Sequence, residues 1–201
     1  MKYMIAGAGA VAVLAGCAGN WEVAYDAPIN PAVSRGWVVQ DVQVSVPNTL
    51  SVSTNPNVLA PADDIVWYGD PDGDRRTQVA AIMDDGITRG TAGLTGGTPV
   101  VIGVTLERFH AVTPSATSIA PSAVHQISYT TQVFNADTLT PITPPQQIVA
   151  DLDAYVGAAA VVNAVEGNTE KVRITQHLEQ VTRGWLGVGP DPRREFGGLG
   201  R

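Results

Sequence analysis

Residues 99–112 read Pro-Val-Val-Ile-Gly-Val-Thr-Leu-Glu-Arg-Phe-His-Ala-Val. Val100, Ile102, Val104 and Leu106 alternate with Val101, Gly103, Thr105 and Glu107. A period of two is the mark of a strand. Phe109 breaks that parity, which predicts a bulge or the strand end near Arg108. Downstream, Ile127, Tyr129, Thr131 and Val133 alternate with Gln126, Ser128, Thr130 and Gln132. Clean alternation means one wet face, and one wet face implies an antiparallel partner. These two strands therefore predict a sheet with one side left for helices.

Two segments carry a helical stripe. In residues 74–89, Val79, Ile82, Met83 and Ile87 share one face, Asp74 is placed to cap the start, and Gly90 to stop it. Gly86 lowers the helix propensity by up to about 1 kcal/mol relative to alanine. Asn168 or Thr169 opens a second helix, striped by Ile174, Leu178, Val181 and Trp185, with Gly187 at its C-terminus. Lys171, Arg173, Gln176, Glu179, Gln180 and Arg183 face elsewhere on it.

Further strands fit the same scheme. In residues 37–46, Val38, Val42, Val44 and Val46 fall on one parity, and Pro47 ends the run. Residues 50–53 read as an extension beyond a bulge, 54–63 as loop, and 65–68 as a short strand. Residues 113–122 link two strands, and 147–153 form another, with Ile148, Ala150 and Leu152 on one side. The alanine-rich stretch 158–165 reads equally as helix or irregular chain. The predicted fold class is α+β: a two-layer sandwich, α/β roll-like, with an antiparallel or mixed sheet of four to five strands and two helices on one face. In element order this resembles the α/β roll of small envelope-assembly lipoproteins.

Upstream of the domain the composition changes. Lys2 is the sole charge before Glu22, and residues 4–14 are apolar or small. A basic start before a short apolar run is the layout of a secretory signal, and the run is too short for a membrane span of about 20 residues. Leu14-Ala15-Gly16-Cys17 follows at once. It resembles the lipobox of bacterial lipoproteins. That resemblance implies cleavage between Gly16 and Cys17 and acylation, including palmitate, on Cys17. A thiol is the nucleophile such a transfer needs, and several acyl chains hold a protein firmly without a span. Ala18 in place of Asp implies, by the same resemblance, sorting to the outer membrane. A cysteine buried in an apolar helix is the competing reading. The resulting division is 1–16 signal peptide, 17–36 lipidated Cys17 and tether, 37–187 one α+β domain, and 188–201 a flexible C-terminal tail.

The chain has 201 residues, 44% of them hydrophobic, with 12 basic and 19 acidic side chains and one cysteine. This suffices for one core. A net charge of −7 argues against a nucleic-acid partner. A lone cysteine excludes a disulfide framework and a cysteine-rich zinc site.

The motif survey offers few chemical sites. Asp70-Pro71-Asp72-Gly73-Asp74, with Asp63 and Asp64 nearby, has the spacing of a calcium loop, yet its glycine falls at position 4 rather than 6, and Arg75 and Arg76 follow it. A turn followed by a helix cap accounts for the same residues. Gly7-Ala8-Gly9-Ala10-Val11-Ala12 matches a dinucleotide fingerprint without the strand and helix that give it meaning. His110, His125 and His177 lack metal-ligand spacing, although adjacent strands would bring His110 near His125. Neither a hydrolase elbow nor a phosphate loop occurs in the sequence. No catalytic residue, metal ligand or cofactor is therefore assigned.

Several segments have a family character: Asp64-Ile65-Val66-Trp67-Tyr68-Gly69-Asp70-Pro71, Gly73-Asp74-Arg75-Arg76 and Arg108-Phe109-His110-Ala111. So do Val172-Arg173-Ile174-Thr175-Gln176-His177 and Gly184-Trp185-Leu186-Gly187. Together with the lipobox, the chain resembles an uncharacterised, domain-of-unknown-function family of small proteobacterial lipoproteins. The expectation is a non-enzymatic envelope lipoprotein with an assembly, scaffold or transport-accessory role. Its partners would be the bilayer, through acylated Cys17, and an unknown envelope protein, with the domain facing the periplasm. The alternatives are a periplasmic module binding a small ligand or metal, and then an enzyme pairing Asp74 with His110 or His177.

Overall fold

The computed structural model describes residues 22–194. The expected signal segment, the 7–12 fingerprint and Cys17 lie outside the described residues. The chain runs through β1 (Val23–Ala24), α1 (Pro31–Ser34), β2 (Trp37–Ser45), β3 (Ile65–Val66), α2 (Arg75–Thr91) and β4 (Thr98–His110). It continues through α3 (Pro114–Ile119), β5 (Ala123–Asn135), β6 (Gln146–Ala150), β7 (Leu152–Ala154), α4 (Gly157–Val165) and α5 (Glu170–Trp185).

The result is a mixed α+β fold with an open sheet, richer than expected: seven strands and five helices among the described residues. The main path is β1-β6-β5-β4-β2, so the sheet is five positions wide. β3 and β7 continue flanks that β2 and β6 have left. β2 pairs with residues 98–105 of β4, and β3 takes over at Phe109 and His110. On β5, β6 pairs with residues 128–131 and β7 with 123–125. Such two- and three-residue strands carry too little periodicity to be seen in sequence.

The central pair is antiparallel as predicted, with Ile102 opposite Val133 and Phe109 opposite Ile127. The expected break is a register shift between Leu106 and Arg108. It returns Phe109 to the core face, where its ring meets Trp67 edge-on at 5.8 Å. β2 runs parallel to β4 with its own shift between Val39 and Asp41. That shift corrects the parity read for β2. Trp37 and Val39 join Val42 and Val44 against the core, while Val38 does not. Residues 50–53 do not prolong β2; Val52 instead bridges to Ile65.

α2 and α5 pack on the sheet and on each other, and all eight predicted stripe residues are buried. α2 runs past Gly90 to an Ala92 cap. Gly86 and Gly90 let the two helices close. A Cβ at Gly86 would sit 2.7 Å from Leu178 Cβ, and one at Gly90 would sit 2.5 Å from Thr182 Cβ. The glycine that weakens α2 locally is thus what permits its packing. α5 ends as predicted at Gly187, whose φ of +71° suits glycine. Gly187 N–H donates to Gly184 O, and Val188 N–H donates to Arg183 O, which satisfies the last carbonyls.

Among the described residues, the chain before β2 and after α5 packs on the domain. Val23 and Ala24 pair with β6, and Ser34 Oγ donates to Leu186 O across a buried contact. Val188 packs on the core, and Arg193 joins Asp191 and stacks 4.4 Å over the Tyr25 ring. The Ser34–Leu186 and Tyr25–Arg193 contacts join residues 152 and 168 apart in sequence, so no local pattern announces them.

Candidate functional site

A cleft of about 370 Å³ opens at the end of the sheet where β4 finishes and β5 begins. Three helices wall it. Thr113 caps α3 by accepting from Ala116 N–H, with Pro114 in the first turn. α4 contributes Ala160, Asn163 and Ala164. α5 contributes its first turn, capped by the Thr169 hydroxyl accepting from Val172 N–H. Tyr68 and Tyr155 add aromatic surface, and Val112 and Pro114 add apolar surface. A concave, largely apolar site with a few convergent polar groups is the usual form of a small-molecule pocket.

The charged groups are Glu170, Lys171 and Arg173 on α5. Burial pushes the Glu170 carboxyl up to about 7, against the opposing pull of Thr117 and Arg173. Its Oε1 lies 3.5 Å from the Thr117 hydroxyl. Near neutral pH the group therefore exists both as acid and as carboxylate, and can donate or accept a hydrogen bond. Arg173 spans the floor. Its guanidinium stacks 4.0 Å from the Tyr155 ring centre, and Nη2 donates to Asp153 at 3.3 Å. Nη1 is buried without a partner. The helical stripe points Arg173 away from the core; its long side chain is instead largely buried against Tyr155 and Asp153. Lys171 reaches Asp70 at 2.8 Å, and Asp70 also accepts from Trp67 Nε1 at 2.9 Å.

Behind Arg173 lies a buried histidine pair. His125, on β5, is fully enclosed and is held down to about 3 by burial, then by Arg173 and His177. Val112 N–H donates to its Nδ1 at 3.4 Å, which places the ring proton on Nε2. His177, on α5, is lowered to about 4 by burial, although the Asp151 carbonyl and Asp153 oppose this. Both rings are neutral at pH 7, and both Nε2 atoms lack a hydrogen-bond partner.

The acidic loop resolves into individual caps and pairs. Asp74 caps α2, accepting from Arg76 N–H at 3.0 Å and from the Thr77 hydroxyl at 2.6 Å. Asp72 meets Arg75 at 3.2 Å, and Asp64 accepts from Ser51 at 2.8 Å. The Asp64 carboxyl is held low mainly by the Ser51 backbone hydrogen bond. His110 Nδ1 contacts the Asp63 carbonyl at 3.1 Å and Arg108 at 3.0 Å. Asp74 makes no hydrogen bond to His110 or His177, so the acid/base pair considered from sequence is not assembled. Among the described residues, no three His, Cys, Asp or Glu side chains converge as a metal site. Also among them, no helix is long and apolar enough to cross a membrane.

Sequence reasoning passed over Glu170, Arg173 and Tyr155. One signal was present. Glu170 follows the Thr169 cap directly, and a first-turn position is where a loop or a neighbouring helix can fold over a side chain. Its burial depends on α3 and α4, which the periodicity did not predict.

No curated protein matches the chain. Three solved structures share parts of its shape. A candidate lipoprotein from Caulobacter crescentus CB15 is 8% identical, with 73% of this chain and 90% of that one covered and a TM-score of 0.33. Protein XCC0632 from Xanthomonas campestris, of family DUF330, is 14% identical, with 83% and 91% covered and a TM-score of 0.42. PelC from Paraburkholderia phytofirmans, a dodecamer, is 9% identical, with 83% and 96% covered and a TM-score of 0.32. A sequence-family match spans residues 37–201 and takes in the sheet from β2 onward, both long helices and the cleft. The chain belongs to DUF6778, a family of unknown function.

Proposed function

We propose that this protein is a lipoprotein of the bacterial envelope, held to the outer membrane by acylated Cys17, with a non-catalytic binding role as an assembly, scaffold or transport-accessory component. The observation behind the role is the cleft bounded by α3, α4 and α5. It is concave and largely apolar, and it carries convergent polar groups. The anchor is supported by the basic start, the apolar run and Leu14-Ala15-Gly16-Cys17. The test of the anchor is Cys17→Ser followed by membrane fractionation and palmitate labelling. The variant is expected to lose the label and to migrate as the uncleaved chain. Unchanged processing and labelling would overturn the reading. Affinity purification with the anchor intact then identifies the protein partner.

The cleft also favours the second reading, a module for a small periplasmic ligand. The Arg173 guanidinium lines the cleft against the Tyr155 ring, a cationic group that favours an anionic ligand. Ala164→Trp would fill the cleft from α4. A periplasmic extract fraction that raises the melting temperature of the wild type should then leave this variant unmoved.

A further inference from the structure

Several of the large exposed apolar side chains of the described residues gather at one end of the molecule, while Val33, Leu139 and Ile142 lie elsewhere. Val161, Val162 and Val165 of α4 are 65%, 54% and 84% exposed, and Ile119, closing α3, is 69% exposed. Val58 and Leu59 join them, because Thr113 Oγ1 donates to Val58 O and Ser115 N–H donates to Pro56 O. α4 is inverted relative to an ordinary surface helix. Its small Ala160 and Ala164 line the cleft, its valines face out, and none of its residues is fully buried. From Gly157 to Val165 it carries no charge. A cluster of exposed apolar side chains on a folded domain marks a contact surface.

The direction of β1 identifies what meets it. β1 is antiparallel to β6, with Val23 opposite Ala150. Glu22 N–H donates to Asp151 Oδ2, and Asp151 N–H donates to Glu22 O. The chain upstream of Glu22 therefore leaves at the end where β6 gives way to β7 and α4. Cys17 stands five residues before Glu22, a reach of at most about 18 Å. Acyl chains on Cys17 would enter a bilayer within that distance of Glu22, at the end of β6 that leads on to β7 and α4.

We infer that this end of the domain lies against the bilayer, with Val161, Val162 and Val165 of α4 and Ile119 of α3 seated at the boundary between headgroups and acyl chains. The inference rests on the acylation of Cys17 proposed above. An uncharged helix enters that boundary through apolar contact alone. The charges around it do not favour an anionic surface. Asp70 is paired with Lys171, Asp72 with Arg75, and Glu166 stands free just past α4. A zwitterionic membrane is the better match, and the cleft would open beside it.

The test uses the full chain purified with its anchor, carrying either Val162→Cys or Asp137→Cys, the latter in the turn at the opposite end of β5. Acylation occupies the Cys17 thiol, so an environment-sensitive maleimide reports only on the new position. After reconstitution into phosphatidylcholine vesicles, the label at 162 should shift to the blue and be quenched several-fold by a spin-labelled lipid. The label at 137 should do neither. If 162 is as wet as 137 in vesicle-bound, acylated protein, the inference fails and the anchor stands. If Cys17 itself takes the maleimide, the anchor reading fails and the inference falls with it. Crosslinking between copies through residue 162 without lipid quenching would assign the patch to a second copy and overturn the bilayer.

Discussion

α4 and α5 adjoin in sequence and share the walls of one cleft, yet they use hydrophobicity in opposite ways. α5 is rich in charge, and its narrow stripe of Ile174, Leu178, Val181 and Trp185 is sealed against the sheet and α2. α4 is almost wholly apolar and leaves its valines outside. Apolar content did not decide burial here; the supply of a complementary surface did. α5 found one in the Gly86 and Gly90 groove of α2. α4 covers only the mouth of the cleft, so its other face is left over.

The sharpest test of this contrast is truncation. Leu178→Ala should destabilise the domain by about 3 kcal/mol, since a large side chain is removed from a closed core. Urea denaturation measures it. Val162→Ser in α4 should move stability by less than about 0.5 kcal/mol in the absence of lipid. Equal losses would break the contrast.

The helix groove gives a second test. Gly86→Val should cost about 2 kcal/mol, because the added atoms meet Leu178 and the Thr175 carbonyl, and neither can retreat without parting the helices. The same measurement on Gly93→Val, where a Cβ would meet nothing, is the control.

The next test concerns pH and separates the two sides of the cleft floor. His125 and His177 have depressed values in the fold, so the unfolded chain binds more protons between about pH 4 and 6.5. Their contribution to stability is full above the unfolded value and is lost as pH falls. Glu170, raised to about 7, acts in the opposite sense. Its contribution is full below its ordinary carboxylate value and fades as pH rises towards 7. His177→Gln should reduce the slope of stability against pH by up to about 1.4 kcal/mol per pH unit in the acidic window. Glu170→Gln should instead remove a decline between about pH 5 and 7. Asp151 is also raised, to about 6 mainly by burial, and remains in both variants. The difference from wild type therefore isolates Glu170. Lys171→Ala should cost no more than about 1 kcal/mol, as expected for a partly exposed pair with Asp70.

Much of the framework was legible from residue order. Val100 to Leu106 and Ile127 to Val133 announced a central antiparallel pair, and the break at Phe109 announced the bulge beside it. The stripes of α2 and α5, the Asp74 cap and the Gly187 terminus were equally local signals. The candidate site was far less legible. Its charged groups sit on a helix whose periodicity marks them as outward, and the walls that enclose them are α3, six residues long, and α4, whose composition suits helix and loop alike.

What the sequence determined on its own was wherever a backbone preference and a burial pattern coincide within a few residues: strand parity, helix stripe, cap and terminal glycine. The division of the sheet edges between β2 and β3 and between β6 and β7 was decided only by the tertiary structure. So were the burial of Arg173 against Tyr155 and Asp153, the enclosure of His125 with His177, and the outward turn of the α4 valines. Each of these depends on which surfaces remain unoccupied once the long elements have packed. That is a property of the assembled molecule, and no window of neighbouring residues contains it.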